Sequence, residues 1–375
     1  MNRSCLKIRL YPDRAQEREL ETTLETCRLV YNSLVNDRKF QYDTAQVSVS
    51  RYAQQAYLPQ WKKDHPELKA VYSQVLQDVV HRVDLAFKAF FERVAKGETP
   101  GFPRFKGLGQ YDSITFTQND SFKVRDSTLR LAKIGQVKAK LHRRPWGELK
   151  TCTVHRINGK WFACLCQEIE AEHLPPSEEA IGIDVGLKTF AALSNSEFIE
   201  NPRFFRKEEK ALAKANRKLA KQKRRSRERK KARKVISRIH ERIRNRRHDF
   251  CHQNARRIVN RFGVIAVEKL NIKGMVKNHS LAKSISDAAW SQFRLVLTSK
   301  AESAGREILA INPAYTSQDC SGCGYRPDGL EGRTKKKLSD RWHLCPMCGL
   351  SVDRDTNAAI NILALGQQSL ASGKA

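Results

Sequence analysis

Four cysteines in two Cys-x-x-Cys turns, Cys320/Cys323 and Cys345/Cys348, have the spacing that most directly specifies chemistry. Two intervening residues let both thiolates of one turn reach a single ion, and a second such turn completes a tetrahedron. The 21 residues between the pairs slightly exceed the usual spacing of about 15–20. Gly322, Gly324 and Gly349 supply the flexible backbone that such turns use. Four ligands leave no open position, so the expected ion is one structural Zn²⁺. Two matching turns also weigh against redox chemistry. Cys5, Cys27, Cys152, Cys164, Cys166 and Cys251 are scattered and read as small hydrophobes.

Three acidic residues end or open apolar segments. Ile181-Gly182-Ile183-Asp184-Val185-Gly186 is a strand pattern that delivers an aspartate and turns on glycine, with Phe190–Leu193 as the return strand. Val264-Ile265-Ala266-Val267-Glu268 is a second buried strand that ends on a carboxylate. Asp353-Arg354-Asp355 opens a helix whose apolar face carries Ala358, Ile362 and Leu365. Singly, each acid reads as a turn former, and Asp355 as a simple N-cap. Their order along the chain is that of an RNase H-like core. Converging carboxylates repel one another, and divalent cations relieve that repulsion. The expected cofactors are two Mg²⁺ or Mn²⁺ ions about 3.5–4 Å apart, acting on a phosphodiester. Glu268 and Asp355 would each contact mainly one ion, with Asp184 bridging.

The elements that must position these residues follow from periodicity. Leu6, Ile8 and Leu10 alternate with Lys7 and Arg9 as a first strand, ended by Tyr11-Pro12. Asp13 stands at an N-cap, and Leu20, Leu24, Cys27, Tyr31 and Leu34 follow at helical spacing. A second helix is predicted through Val75, Val79, Val83, Phe87 and Phe91, and the glycines and prolines of 96–110 stop it. Six short strand patterns then lie between 114 and 165, which predicts a small antiparallel barrel joined by the first strand. Pro175-Pro176 marks a domain boundary.

Charge narrows the partners. The 375 residues carry 70 Lys+Arg against 40 Asp+Glu, a net +30 that attracts polyanions. Residues 206–247 alone hold 21 Lys/Arg and four Asp/Glu. Leu212, Leu219, Ile236, Ile239 and Ile243 recur there at helical spacing, which predicts two basic helices with a break near Ser226 rather than a disordered tail. Arg224, Arg225, Lys230 and Lys231 are the candidate phosphate contacts of this block. No apolar run approaches the ~18 residues needed to cross a bilayer, and the first residues lack a signal-peptide core. The expectation is a cytoplasmic protein with no membrane partner, acting at the bacterial or archaeal nucleoid.

The combination of motifs resembles the TnpB family of bacterial insertion sequences, ancestral to the type V CRISPR effectors. The resemblance rests on Gly182–Gly186, Val267-Glu268-Lys269-Leu270, the four cysteines, and Asp353-Arg354-Asp355-x-Asn357-Ala358-Ala359-x-Asn361-Ile362. Ser284–Trp290, Thr316-Ser317-Gln318-x-Cys320 and Gly101-Phe102-Pro103-Arg104-Phe105 extend it over nearly the whole chain. It implies an α+β multidomain protein. An antiparallel wedge barrel (1–10 and 111–178) would carry an inserted helical recognition domain (11–110). A RuvC nuclease domain (179–375) would contain the basic helical block (206–258) and a zinc ribbon (315–350).

The resemblance further implies a guide RNA from the transposon end and cleavage of double-stranded DNA beside a short target-adjacent motif. The working unit would be a monomer with one RNA. Asp184, Glu268 and Asp355 fall on the family's catalytic positions; Asp355 is chosen over Asp353 because it stands two residues before Asn357. Arg341 matches a recurrent arginine that steadies the scissile phosphate or the zinc turn. Gln74, Gln77 and Thr117 align with motif-reading positions, where glutamine suits adenine and threonine a thymine methyl; exposed polar surface is the competing reading. Three functional alternatives stay open: a compact type V CRISPR effector, a guided DNA binder without cleavage, and a transposase acting without RNA.

Overall fold

The computed structural model describes residues 2–118, 120–170, 173–326 and 340–373, in two compact units, 1–170 and 171–375. The middle of the expected zinc ribbon, 327–339, lies outside the described residues.

In the first unit, β1 (Asn2–Tyr11) leads into α1 (Arg14–Ala45), α2 (Arg51–Asp64) and α3 (Ser73–Ala95). The Asp13 carboxylate caps α1 by accepting from the amides of Ala15 and Gln16 at 2.8 Å. Six strands follow: β2 (Ser113–Phe116), β3 (Phe122–Arg125), β4 (Thr128–Leu131), β5 (Gly135–Lys140), β6 (Glu148–Ile157) and β7 (Lys160–Ile169). With β1 they form a seven-stranded antiparallel sheet in the order β2-β6-β7-β1-β5-β4-β3.

The expected closed barrel is corrected here. Among the described residues no ladder joins the edge strands β2 and β3, so the sheet is open. Alternation in β1 turns Leu6, Ile8 and Leu10 inward, opposite Leu165, Ala163 and Trp161 of β7. The same buried cluster takes in Leu20 and Leu24 of α1 and Val75, Leu76, Val79 and Val83 of α3, so the helices supply cover that closure would otherwise provide. Polar ties fix the helices: Arg38 meets Asp84 at 3.2 Å and Gln54 at 2.9 Å. Arg82 bonds Asp78, the Ser113 carbonyl and Thr115, joining α3 to β2.

The second unit opens with β8 (Ala180–Val185), β9 (Thr189–Leu193) and β10 (Phe198–Glu200). Two basic helices follow, α4 (Phe204–Ala220) and α5 (Arg227–Arg261), and the Ser226 hydroxyl caps the second. After β11 (Val264–Glu268) come the short α6 (Ile272–Met275), α7 (His279–Ala288), α8 (Trp290–Ser303) and β12 (Glu307–Ile311). A small hairpin, β13 (Trp342–Leu344) and β14 (Ser351–Asp353), precedes α9 (Arg354–Ala371).

The main sheet runs β10-β9-β8-β11-β12, with β8, β11 and β12 parallel and the β8–β9–β10 side antiparallel. One face buries Ile181, Ile183 and Ile265 against Cys251, Ala255 and Ile258 of α5 and Phe293 and Leu297 of α8. The other face receives α9 at close range. A Cβ on Gly182 would stand 2.0 Å from the Ala359 carbonyl, and one on Gly366 would stand 2.8 Å from Ala266 Cβ. Glycine at 182 is therefore a requirement of helix approach, in addition to any role in the strand.

Candidate active site and zinc-type centre

Strand register brings the first two carboxylates together. Gly182 pairs with Ala266 and Ile183 with Val267 in the parallel β8–β11 ladder. Gly182 and Ala266 face α9; two residues on, by strand alternation, Asp184 and Glu268 face the same side at the same sheet end. The third carboxylate comes from the first turn of α9. Asp353 is the N-cap of that helix, its Oδ1 accepting from the Asp355 and Thr356 amides at 2.9 and 3.2 Å. Asp355 is thereby left for the sheet side: a Cβ on Gly186 would lie 4.0 Å from its Oδ2. Asp184, Glu268 and Asp355 are all half-buried.

The electrostatics are those of a crowded acid site. Burial, then the charges of Glu268 and Asp355, hold the Asp184 carboxyl well above the ordinary carboxylate range, against the pull of Arg354. Burial raises Glu268 too, opposed by a hydrogen bond from Thr316. Asp355 is raised by burial and by Asp353, while Arg341, Arg354 and Lys188 draw it down. No hydrogen-bond donor reaches the carboxylates of Asp184 or Asp355 among the described residues. Hard oxygen donors of one sign, half-buried and short of donors, suit divalent cations such as Mg²⁺ or Mn²⁺.

The cysteines form a second centre. The four Sγ atoms lie within 4.8 Å of one another, with Cys320–Cys348 at 3.7 Å and Cys323–Cys345 at 3.6 Å. A tetrahedron with Zn–S bonds of about 2.3 Å has edges of about 3.8 Å, so the donor set fits zinc. The two turns repeat one design. The Gly324 amide donates to the Cys320 carbonyl at 2.9 Å and the Gly349 amide to the Cys345 carbonyl at 3.0 Å. Both glycines sit at positive φ, +73° and +72°, a conformation that glycine adopts without steric cost.

Hydrogen bonds join the two centres. The Thr316 hydroxyl donates to Glu268 Oε1 at 2.6 Å. Asn361 Nδ2 donates to the carbonyls of Thr316 and Asp319, both at 2.9 Å. Asn357 donates to the Asp319 carbonyl at 2.8 Å and accepts from the Ser321 amide at 3.0 Å. Thr316 and Asn357 are buried. The segment entering the first cysteine turn is thus tied to Glu268 on one side and to the helix of Asp355 on the other. A long-range bond of this kind leaves no periodic signal; its sequence trace is Thr316 and the two asparagines within the motif strings that carry the family resemblance.

The remaining predicted residues fall in several places. Arg341 is exposed and its carbonyl accepts from the Arg354 amide at 3.0 Å, beside the start of α9. Arg224, Arg225 and Lys230 line a cavity of about 620 Å³ at the α4–α5 turn, with Arg229 and Arg233. Lys231 turns away to pair with Glu228 at 2.8 Å. Gln74, in the first turn of α3, hydrogen-bonds Gln118, the neighbour of the exposed Thr117; Gln77 is exposed further along the helix.

Comparison with known proteins gives the setting. The family described as "Probable transposase" (OrfB_IS605) matches residues 164–279, and the Cas12f1-like TNB domain matches 290–362. A "Helix-turn-helix domain" matches 1–46, although these residues hold a strand and one 32-residue helix. A Streptomyces pristinaespiralis protein named "Putative RNA-guided DNA endonuclease" is 35% identical over 98% of this chain and 90% of its own. InsQ of Escherichia coli K12, with the same description, is 30% identical over 99% and 94%. The fold resembles that of the Cas12f1 chain in a complex with guide RNA and target DNA, at a TM-score of 0.60 and 15% identity, covering 96% and 98% of the two chains. It also resembles the Cas-phi3 mini-RNA-guided endonuclease, at a TM-score of 0.50 and 10% identity, covering 97% and 92%. The chain therefore belongs to the TnpB family, the OrfB-type proteins of IS605-like insertion sequences.

Proposed function

We propose that this protein is a transposon-encoded, RNA-guided endonuclease that cuts double-stranded DNA beside a short target-adjacent motif. The observation that carries the reading is the convergence of Asp184, Glu268 and Asp355 on the α9 side of one sheet end. The relatives' names agree with it. In this reading residues 179–375 are a RuvC-type, RNase H-like nuclease domain with the basic block 206–258 and a zinc ribbon 315–350. Residues 1–10 with 111–178 form the wedge, and 11–110 the helical recognition domain. The open sheet takes the place of a wedge barrel. No helix among the described residues is long and apolar enough to cross a membrane.

Asp184, Glu268 and Asp355 would hold the divalent cations, which supply charge neutralisation at a phosphodiester and an acidified water. Thr316 orients Glu268, and the Asp353 cap holds the first turn of α9 so that Asp355 projects toward β8. Arg341 and Lys188, whose charges act on Asp355, would meet phosphate oxygens at the same end. The cysteine centre closes its segment without an open position and so serves structure. The cations around Arg224, Arg225 and Lys230 would track nucleic-acid backbone without reading sequence. Gln74, Gln77 and Thr117 are proposed as readers of the adjacent motif. A guided binder without cleavage would have no use for three half-buried acids facing one side of a sheet end, two of whose charges press on the third.

The test is to express the protein with its native downstream DNA, sequence the RNA that co-purifies, and challenge the complex with a plasmid carrying the matching target. A defined RNA species and Mg²⁺-dependent linearisation are expected, with the complex running at the mass of one chain and one RNA. Cutting that survives Asp184→Ala would overturn the catalytic assignment. Absence of a defined RNA would remove the guided part.

A further inference from the structure

A second basic cavity, also of about 620 Å³, is lined by Lys188, Asn201, Arg203, Arg206, Ser284 and Asp287, and the charge of its Lys188 acts on Asp355. Its charges are not equally committed. Asp287 accepts from the Phe205 and Arg206 amides at 2.8 and 3.2 Å and from Arg247 at 2.8 Å, so its charge is taken up by the start of α4 and by α5. Arg206 pairs with Glu209 at 3.3 Å. Lys188 and Arg203 are exposed, and neither makes a side-chain hydrogen bond or ion pair among the described residues.

The backbone that carries these two cations is tightly specified. Arg203 has φ 49° and ψ 51°, the left-handed region that a branched or long L-residue enters only when its surroundings enforce it. The enforcing group is Asn201, whose Oδ1 accepts from the Arg203 amide at 3.1 Å. The same side chain donates through Nδ2 to the Leu187 carbonyl at 2.9 Å. One asparagine therefore fixes the segment of Arg203 and the turn of Lys188 together. That turn leaves β8 after Val185, one residue past Asp184, and a Cβ on Gly186 within it would lie 4.0 Å from Asp355 Oδ2. A solvated basic surface needs no such arrangement.

We propose that Lys188 and Arg203 form a subsite for one backbone phosphate of the DNA strand being cut, next to the scissile phosphodiester. The inference rests on the nuclease reading above and adds the residues that set the register of the strand on the carboxylates. A guanidinium offers a planar fork of donors and an ammonium a point charge, and together they suit a phosphodiester oxygen pair. The cavity is of the size that holds a nucleotide-sized group. Contact with phosphate positions the strand without selecting its sequence, as a guided enzyme requires.

The experiment uses the purified protein–RNA complex and single-turnover cleavage of target DNA over a range of DNA concentrations. The variants are Lys188→Gln, Arg203→Gly, which keeps the left-handed backbone while removing the charge, and Arg203→Lys. The first two should each slow cleavage by about tenfold, as expected for loss of a charge-assisted contact, while Arg203→Lys stays within about threefold. RNA loading should be unchanged. A neutral methylphosphonate at one position beside the cut should slow the wild type by a similar factor and add nothing in the Lys188→Gln/Arg203→Gly double variant. Variants that cut like the wild type, or a methylphosphonate effect that adds in full at every position, would overturn the subsite. Loss traced to weaker RNA loading would reassign the cavity to RNA. A wild-type complex that does not cut at all would remove the nuclease reading and this inference together.

Discussion

The four cysteines and the three acids at one sheet end differ in what the chain has already satisfied. The four thiols come from two local turns, each closed by its own backbone hydrogen bonds and its own glycine, and their spacing matches a filled tetrahedron. The three carboxylates come from positions 184, 268 and 355 and are brought to one sheet end only by the sheet and α9, where the charges of Glu268 and Asp355 press on Asp184. A closed soft-ligand site stabilises structure, and an open hard-ligand site with unmet charge is where substrate chemistry takes place. The Thr316–Glu268 bond and the two asparagines of α9 connect the two.

The largest effect should come from the open site. Asp184→Asn, Glu268→Gln and Asp355→Asn are each expected to reduce guided cleavage by at least about 10³-fold, with circular dichroism and RNA loading unchanged. Asp353→Asn, which keeps a capping side chain, should retain most of the activity.

Next in size is the closed site. Cys320→Ser should lower zinc content measured by atomic absorption and cut cleavage by about 100-fold, because the turn that carries Thr316 loses its anchor. Unlike the carboxylate variants, it should also lower the melting temperature. Equal stability of Cys320→Ser and wild type would show that the cysteine centre does not stabilise the fold.

The link between the centres is tested by Thr316→Val, which removes the donor to Glu268 and keeps the shape. About a tenfold loss of cleavage is expected, from one charge-assisted hydrogen bond, with zinc content intact. The Mn²⁺ concentration for half-maximal rate should rise, and Thr316→Ser should restore the wild-type value.

The smallest effect is a stability change with a definite sign. In zinc-bound protein without Mg²⁺ or Mn²⁺, the Asp184 carboxyl titrates above its unfolded value. Its contribution to stability is then full below the ordinary carboxylate range and is lost as pH rises through the raised folded value. Asp184→Asn should remove that decline and melt about 2–4 °C higher at pH 8; added Mn²⁺ should raise the wild type and leave the variant unmoved.

Much of the architecture was legible in the sequence because its signals are local. Alternation marks β1 and the strands from β2 to β7, the 3.6-residue pattern marks α1 and α3, and the Cys-x-x-Cys turns announce themselves. The basic helices α4 and α5 break at Ser226 as their spacing predicts. Sheet closure was not legible: whether β2 meets β3 depends on what α1 and α3 cover, and the alternation is the same in either case. The short α2 interrupts its pattern with Pro59, and β12 is four apolar residues after Glu307 that periodicity alone cannot distinguish from a helix turn. At the proposed site, the three acids stand out in the sequence at two strand ends and a helix start, and the structure places them there. The asparagine-enforced conformation of Arg203 and the Thr316–Glu268 bond were not, since each depends on residues far apart in the chain or on a single torsion.

The most direct measurement is anomalous diffraction from crystals of the protein–RNA complex soaked in Mn²⁺. Manganese peaks are expected in contact with Asp184, Glu268 and Asp355, with a separate zinc peak among the four cysteines and loss of the manganese alone in Asp184→Asn. Manganese bound at Asp353 instead of Asp355, or absent from all three carboxylates while guided cleavage proceeds, would contradict that expectation.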